Sequence, residues 1–233
     1  MNPIEGTPVA LVTGGSAGLG LALTKALTSD GWRVVTDARH GDALAAATAD
    51  LPLVTAVAGD VRDPGHHDEL AGAVRRLGGR LDLLVHNASE LGPMLPLADV
   101  GPDQLADVLA TNTLAPLRLT QRLLPLLRAS GGVLVGISSD AAVEHYPTWG
   151  TYAASKAALD HLVLTLAAEN GLRGYAVDPG DLRTAMHQRA FPGEDISDRP
   201  LPETVAPHLL SLVTSDRPSG RYQVAELVAE VAR

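Results

Sequence analysis

The sequence predicts an α/β fold: a doubly wound parallel sheet of about seven strands with helices on both faces. Three observations carry that prediction. Short aliphatic runs alternate with helix-period segments along the 233-residue chain. The runs, Leu83-Leu84-Val85 and Val133-Leu134-Val135 among them, do not alternate apolar with polar, so both faces of each strand should be buried. The links are short, as right-handed βαβ crossovers allow. The length suits one domain, expected over residues 1–233, and can bury a full core.

The elements follow in order. Val9–Thr13 reads as a strand, then Leu19–Ser29 as a helix ended by Gly31. Arg33–Asp37 is a strand and Asp42–Ala49 a helix. Leu53–Val57 is a strand, with His67–Leu77 a helix ended by Gly78-Gly79. After the strand Leu81–His86, one long helix is expected from about Pro102 to Arg128, with Pro116 as its irregularity. Val133–Ser138 is a strand, Tyr152–Glu169 a helix and Arg173–Val177 a strand. Asp181–Pro202 is polar and proline-rich and breaks the rhythm, so residues 181–202 read as a surface lid. Gly220–Ala225 reads as a last strand and Glu226–Ala232 as a short helix.

Composition excludes several functions. The formal charge is −9, from 18 basic and 27 acidic residues. A nucleic-acid binder needs a basic field, and so does a protein that docks on anionic lipid. No apolar run approaches the roughly 18 residues of a spanning helix. The start, Met1 to Glu5, lacks the basic-then-apolar pattern of a signal peptide. The expectation is a soluble cytoplasmic protein, with no nucleic-acid and no membrane partner. Cysteine is absent, which removes disulfides, thiol nucleophiles and cysteine metal sites. The eight histidines lack ligand spacing, so no metal is expected and they read as solvated.

Two motifs carry chemistry. Thr13-Gly14-Gly15-Ser16-Ala17-Gly18-Leu19-Gly20 joins the first strand to the first helix. Its glycines let backbone approach a pyrophosphate, and the helix start offers free N–H groups. The second strand ends Thr36-Asp37-Ala38-Arg39, beside the site of an adenosine ribose. Asp37 there would suit NAD, whereas Ala38-Arg39 would suit the 2′-phosphate of NADP. The second motif is Tyr152-Ala153-Ala154-Ser155-Lys156, which puts a phenol and an ammonium on one helix face. Such an ammonium lowers the phenol pKa toward working pH.

In this order the motifs resemble the classical short-chain dehydrogenase/reductase family, from Val9 to about Val224. Thr13–Gly20 matches its cofactor glycine motif, and Asp60-Val61 the acid that meets the adenine ring. His86-Asn87-Ala88-Ser89 stands for the family's Asn-Asn-Ala-Gly, with His86 and Ser89 as departures. Asn112 lies in Thr111-Asn112-Thr113-Leu114, Ser139 precedes Tyr152 by thirteen residues, and Pro179-Gly180-Asp181-Leu182-Arg183-Thr184 matches the nicotinamide-amide segment.

The resemblance implies a Rossmann-like domain and an NAD(P)-dependent oxidoreductase. It would transfer hydride between nicotinamide and a small ketone or alcohol, as a ketoreductase with Tyr152 as proton donor. Lys156 would tune Tyr152 and hold the ribose, Ser139 would orient the substrate oxygen, and the Asn112 backbone would hold a water that links Lys156 to solvent. Cofactor contacts are implied at Gly14, Ser16, Gly18, Leu19, Gly20, Arg39, Asp60, Val61, Asn87 and Ala88, at Tyr152 and Lys156, and at Pro179, Gly180, Leu182 and Thr184. The family register places the acid of NAD-preferring members on Ala38, so NADP(H) is favoured over NAD(H). A homodimer is implied, with a tetramer as the alternative. The same fold would also serve a dehydratase, isomerase or epimerase using Tyr152, or a dinucleotide-binding regulator without turnover.

Substrate contacts are expected from loops at the carboxyl edge of the sheet. They include Met94, Leu95, His145, Tyr146, Trp149, Met186 and Phe191, a mostly apolar lining. The chain has only seven aromatic residues, and four of them, Tyr146, Trp149, Tyr152 and Phe191, fall there.

Overall fold

The structure, a computed structural model, describes residues 6–231. Seven parallel strands form one sheet in the order β3-β2-β1-β4-β5-β6-β7. They are β1 (Val9–Val12), β2 (Arg33–Ala38), β3 (Val54–Ala58), β4 (Leu83–His86), β5 (Val133–Ile137), β6 (Arg173–Asp178) and β7 (Gly220–Gln223). The helices are α1 (Gly18–Ser29), α2 (Gly41–Thr48), α3 (Pro64–Arg76), α4 (Pro102–Leu109), α5 (Ala115–Ser130), α6 (Gly150–Asn170), α7 (Ala185–Ala190), α8 (Pro202–Thr214) and α9 (Val224–Val231).

The sheet is buried on both faces because alternate residues feed two cores. Ala10 and Val12 of β1 pack with α1 and α8, through Leu23, Leu27 and Leu209. Val9 and Leu11 pack with α3, α5 and α6, through Leu70, Leu123 and Leu159. On β2 the same alternation puts Val34 in the first core and Val35 in the second.

Four elements differ from expectation. The long helix is two, α4 and α5, joined by a wide turn over Ala110–Leu114 in which Ala115 N–H reaches back to the Ala110 carbonyl. Pro116 is the cause to hand: it has no N–H for the carbonyl of Asn112, four residues before it. Helix α8 was not expected at all. Val205, Ala206, Leu209, Leu212 and Val213 form its buried stripe, and Pro207 costs it one ladder bond without ending it. The segment after Gly180 contains the short helix α7, and Arg183 N–H to the Pro200 carbonyl draws its ends together. The last helix begins at Val224, two residues before the expected start, and Ala232 lies outside the described residues.

Strand order reverses between β1 and β4, whose following crossovers run to opposite sides. A crevice opens there at the carboxyl edge, the place where doubly wound sheets take ligands.

Candidate active site

The glycine turn and the end of β4 form the floor of the crevice. Thr13 Oγ1 accepts N–H bonds from Asn87 and Ala88, each at 3.0 Å, which locks β4 to the turn. Gly14 has φ +75°, and a Cβ there would meet the Ala88 backbone at 3.0 Å. At Gly20 a Cβ would fall 2.3 Å from the Gly14 carbonyl oxygen, so only glycine lets α1 start this close to the turn. No side chain caps α1, and its first N–H groups remain available to an anion.

At the ribose end the two candidate side chains differ in their partners. Asp37 shares the inward face of β2 with Val35 and is fully buried. Its Oδ1 accepts Gly14 N–H at 2.8 Å, and its Oδ2 lies 3.0 Å from Nε2 of His66. Arg39 lines the same cavity but is exposed, makes no hydrogen bond among the described residues, and its charge acts on the Asp60 carboxyl. Asp60 and Val61 line the same end. The Asp60 carboxyl is lowered by its hydrogen bond to Arg62, 2.7 Å away.

Ser139, Tyr152 and Lys156 meet the glycine turn in one cavity of about 420 Å³. Ser16, Gly18, Leu19, Pro179, Gly180, Leu182 and Thr184 line it too, while Gly20 lies beneath the turn. Tyr152 is 8% exposed. Burial pushes its phenol above the ordinary value, with Ser89 opposing and Asp178 and Asp140 adding. Lys156 is the residue expected to draw the phenol down. Lys156 Nζ lies 5.5 Å from the ring centre, and its hydrogen bond goes to the Ile137 carbonyl at 2.7 Å. Burial lowers Lys156 itself to about 8, with Asp160 opposing.

Ser139 donates to Asp140 Oδ1 at 2.9 Å. Asn112 is fully buried behind the cavity wall. Its side chain accepts from Glu90 N–H and donates to the Glu90 carbonyl and to Ser155 Oγ, so it fastens the loop after β4 to α6. Its backbone lies in the wide turn.

The aromatic cluster is present as a chain of rings. Trp149 stands 6.5 Å from Tyr146, 5.9 Å from Tyr152 and 5.8 Å from Phe191. Of the expected substrate contacts, Trp149 and Met186 line the cavity. Met94 packs behind it against the cluster of Leu91, Ala141 and Tyr152. Leu95, His145 and Tyr146 are exposed outside the lining, and Phe191 touches it only through Trp149 and His187. Glu90, Asp140, Asp181, His187 and Arg189 add charged and polar groups to the wall. Glu90 and Thr111 went unnamed because their side chains reach the cavity only through loop and turn geometry.

The reading of the histidines as solvated changes as well. His66 and His67 are buried, on Asp37 and on the Val61 carbonyl. His86 is buried too, against the Thr120 hydroxyl at 2.7 Å, and burial holds its pKa down at about 3. No metal-holding cluster occurs among the described residues.

A family model described as short chain dehydrogenase matches residues 8–195. The chain belongs to the short-chain dehydrogenase family. Its relatives in this oxidoreductase family include YciK of Escherichia coli K12, 40% identical over 59% of this chain and 56% of that protein. The chain thus spans little more than half of that relative's length. Dehydrogenase/reductase SDR family member 4 of Bos taurus is 32% identical over 79% of this chain and 69% of its own. Among solved structures, a short-chain dehydrogenase of Escherichia coli CFT073 complexed with NADPH superposes with a TM-score of 0.87, at 32% identity over 93% of this chain and 96% of that one. One from Shigella flexneri complexed with NADP gives 0.86, at 32% identity over 94% and 97%. No helix among the described residues is long and apolar enough to cross a membrane.

Proposed function

We propose that this short-chain dehydrogenase is an NADP(H)-dependent carbonyl reductase acting on a small ketone or aldehyde. The observation that carries the reading is the single cavity that joins the glycine turn and Arg39 to Ser139, Tyr152 and Lys156. The residues fit a dinucleotide: glycines where a Cβ would clash, free N–H groups at α1, and an exposed Arg39 guanidinium where a 2′-phosphate would lie. The two NADP-bound structural neighbours point the same way.

When bound, the cofactor supplies the hydride. Burial keeps Tyr152 in its protonated form, so it meets the substrate as a phenol that can give its proton to the more basic alkoxide. Ser139 turns its hydroxyl from Asp140 to the substrate oxygen, which orients the carbonyl toward Tyr152. Lys156, with a pKa near 8, stays charged at neutral pH and resupplies the proton, with the Asn112 backbone holding the linking water. Residues 181–202 form the lid, whose helix α7 presents Met186, His187 and Arg189 to the cavity. The protein works as a soluble cytoplasmic homodimer.

The test is loss of NADPH against a panel of carbonyl compounds. Turnover that vanishes in Tyr152→Phe, with NADPH binding intact, supports the reading. Binding without turnover would favour a regulator, and product without net cofactor loss an isomerase or epimerase.

A further inference from the structure

Beneath the glycine turn lies a buried acid–base pair that the proposed reaction does not use. Asp37 has no exposed surface, and both its oxygens are engaged, one by Gly14 N–H at 2.8 Å and one by His66 Nε2 at 3.0 Å. His66 comes from α3 and is 3% exposed. Its ring fills the space over Gly59, where a Cβ would fall 2.1 Å from Nδ1. Nδ1 itself faces Glu69 at 3.4 Å. The charged groups that face the ring are therefore Asp37 from β2 and Glu69 from its own helix.

The position matters more than the pair. Asp37 and Arg39 both line the ribose end of the cavity. An uncompensated carboxylate there would oppose a 2′-phosphate and could instead accept from a 2′-hydroxyl. A buried charge is tolerated only when paired.

We propose that His66 is a specificity-determining positioning residue for the cofactor: it pins the Asp37 carboxylate under the glycine turn and cancels its charge, so that the strand end accepts a 2′-phosphate on Arg39. This rests on the NADP(H) reading. Burial works against the charged imidazole, but the Asp37 and Glu69 carboxylates outweigh it, so the His66 pKa is raised. Below that raised value the pair is neutral. As pH climbs through it, the pair becomes net negative, and NADPH should weaken relative to NADH.

The experiment measures Kd for NADPH and NADH on the full chain, across neutral and mildly alkaline pH. It uses wild type, His66→Gln, Asp37→Asn and the double variant. Gln keeps a donor toward Asp37 without a charge, and Asn keeps an acceptor for Gly14 N–H. His66→Gln should raise the NADPH Kd about tenfold at neutral pH and leave NADH within about twofold. Asp37→Asn should keep NADPH within about threefold and flatten the pH dependence of the ratio, and the double variant should recover NADPH binding. A wild type that prefers NADH tenfold would overturn the cofactor reading and this inference together. A wild type that prefers NADPH, with the ratio unmoved in His66→Gln, would overturn the inference alone. So would equal loss of both cofactors in His66→Gln, or a loss of NADPH beyond threefold in Asp37→Asn.

Discussion

Arg221 of β7 holds two buried carboxylates behind the proposed catalytic serine, and its removal offers a sharp test of the site's electrostatics. Its Nη2 donates to the Ser139 carbonyl at 2.9 Å and to Asp178 Oδ2 at 3.3 Å, and its Nε lies 3.4 Å from Asp160 Oδ2. Burial raises both carboxyls, and Arg221 is among the groups that pull them back down. Arg221→Met keeps much of the apolar stem and deletes the charge. Stripping one partner from a buried pair costs about 3–5 kcal/mol. The Arg221 side chain is 23% exposed, so water offsets part of this, and about 2–4 kcal/mol is expected. At this chain length that lowers Tm by about 5–15 °C.

The sign with pH is decisive. Carboxyls whose folded pKa exceeds the unfolded value destabilise as pH rises through that window. Without Arg221 both rise further, so the deficit should be largest near pH 8 and shrink near pH 5, where they take up protons. Thermal melts followed by circular dichroism at the two pH values measure it. A deficit equal at both, or below about 1 °C, would refute the charge-compensation argument.

Other predictions follow from single contacts. Tyr152→Phe should cut kcat by about 10²–10⁴ in an NADPH-consumption assay while the NADPH Kd stays put. Reduction should hold a plateau below the Lys156 pKa of about 8 and decline above it, since the neutral amine has no proton to resupply; a pH–rate profile shows the limb. Gly20→Ala should weaken NADPH binding at least about tenfold by titration, because the added Cβ lands on the Gly14 carbonyl at 2.3 Å. Thr148, a β-branched residue at φ 71°, is strained just before Trp149. Thr148→Gly should stabilise by roughly 0.5–1.5 kcal/mol in urea denaturation, the relief of strain exceeding the extra chain entropy.

Much of the site was legible in the linear chain. The glycine spacing, the Tyr152–Lys156 pair and the position of Ser139 are local or fixed-offset features, and helix or turn geometry carries them to one edge. The aromatic clustering was readable for the same reason, since Tyr146, Trp149 and Tyr152 are neighbours in sequence. What local pattern could not show was direction and partnership. His66 and His67 looked like solvated residues until α3 docked on the sheet and buried them. Glu90 carried no signal until the loop after β4 folded over the cavity. Helix α8 went unread because prolines mask its stripe, which only α1 and the sheet complete.

The sequence by itself determined the succession of the seven strands and of most helices, the two-sided burial of the sheet, the family and the residues that could do chemistry, because these depend on periodicity and short spacing. Tertiary structure alone decided how the strand-end side chains are partnered. It tied Asp37 to Gly14 and His66 and left Arg39 exposed. It also supplied the burial that raises the Tyr152 phenol and lowers Lys156, since that burial comes from elements remote in sequence.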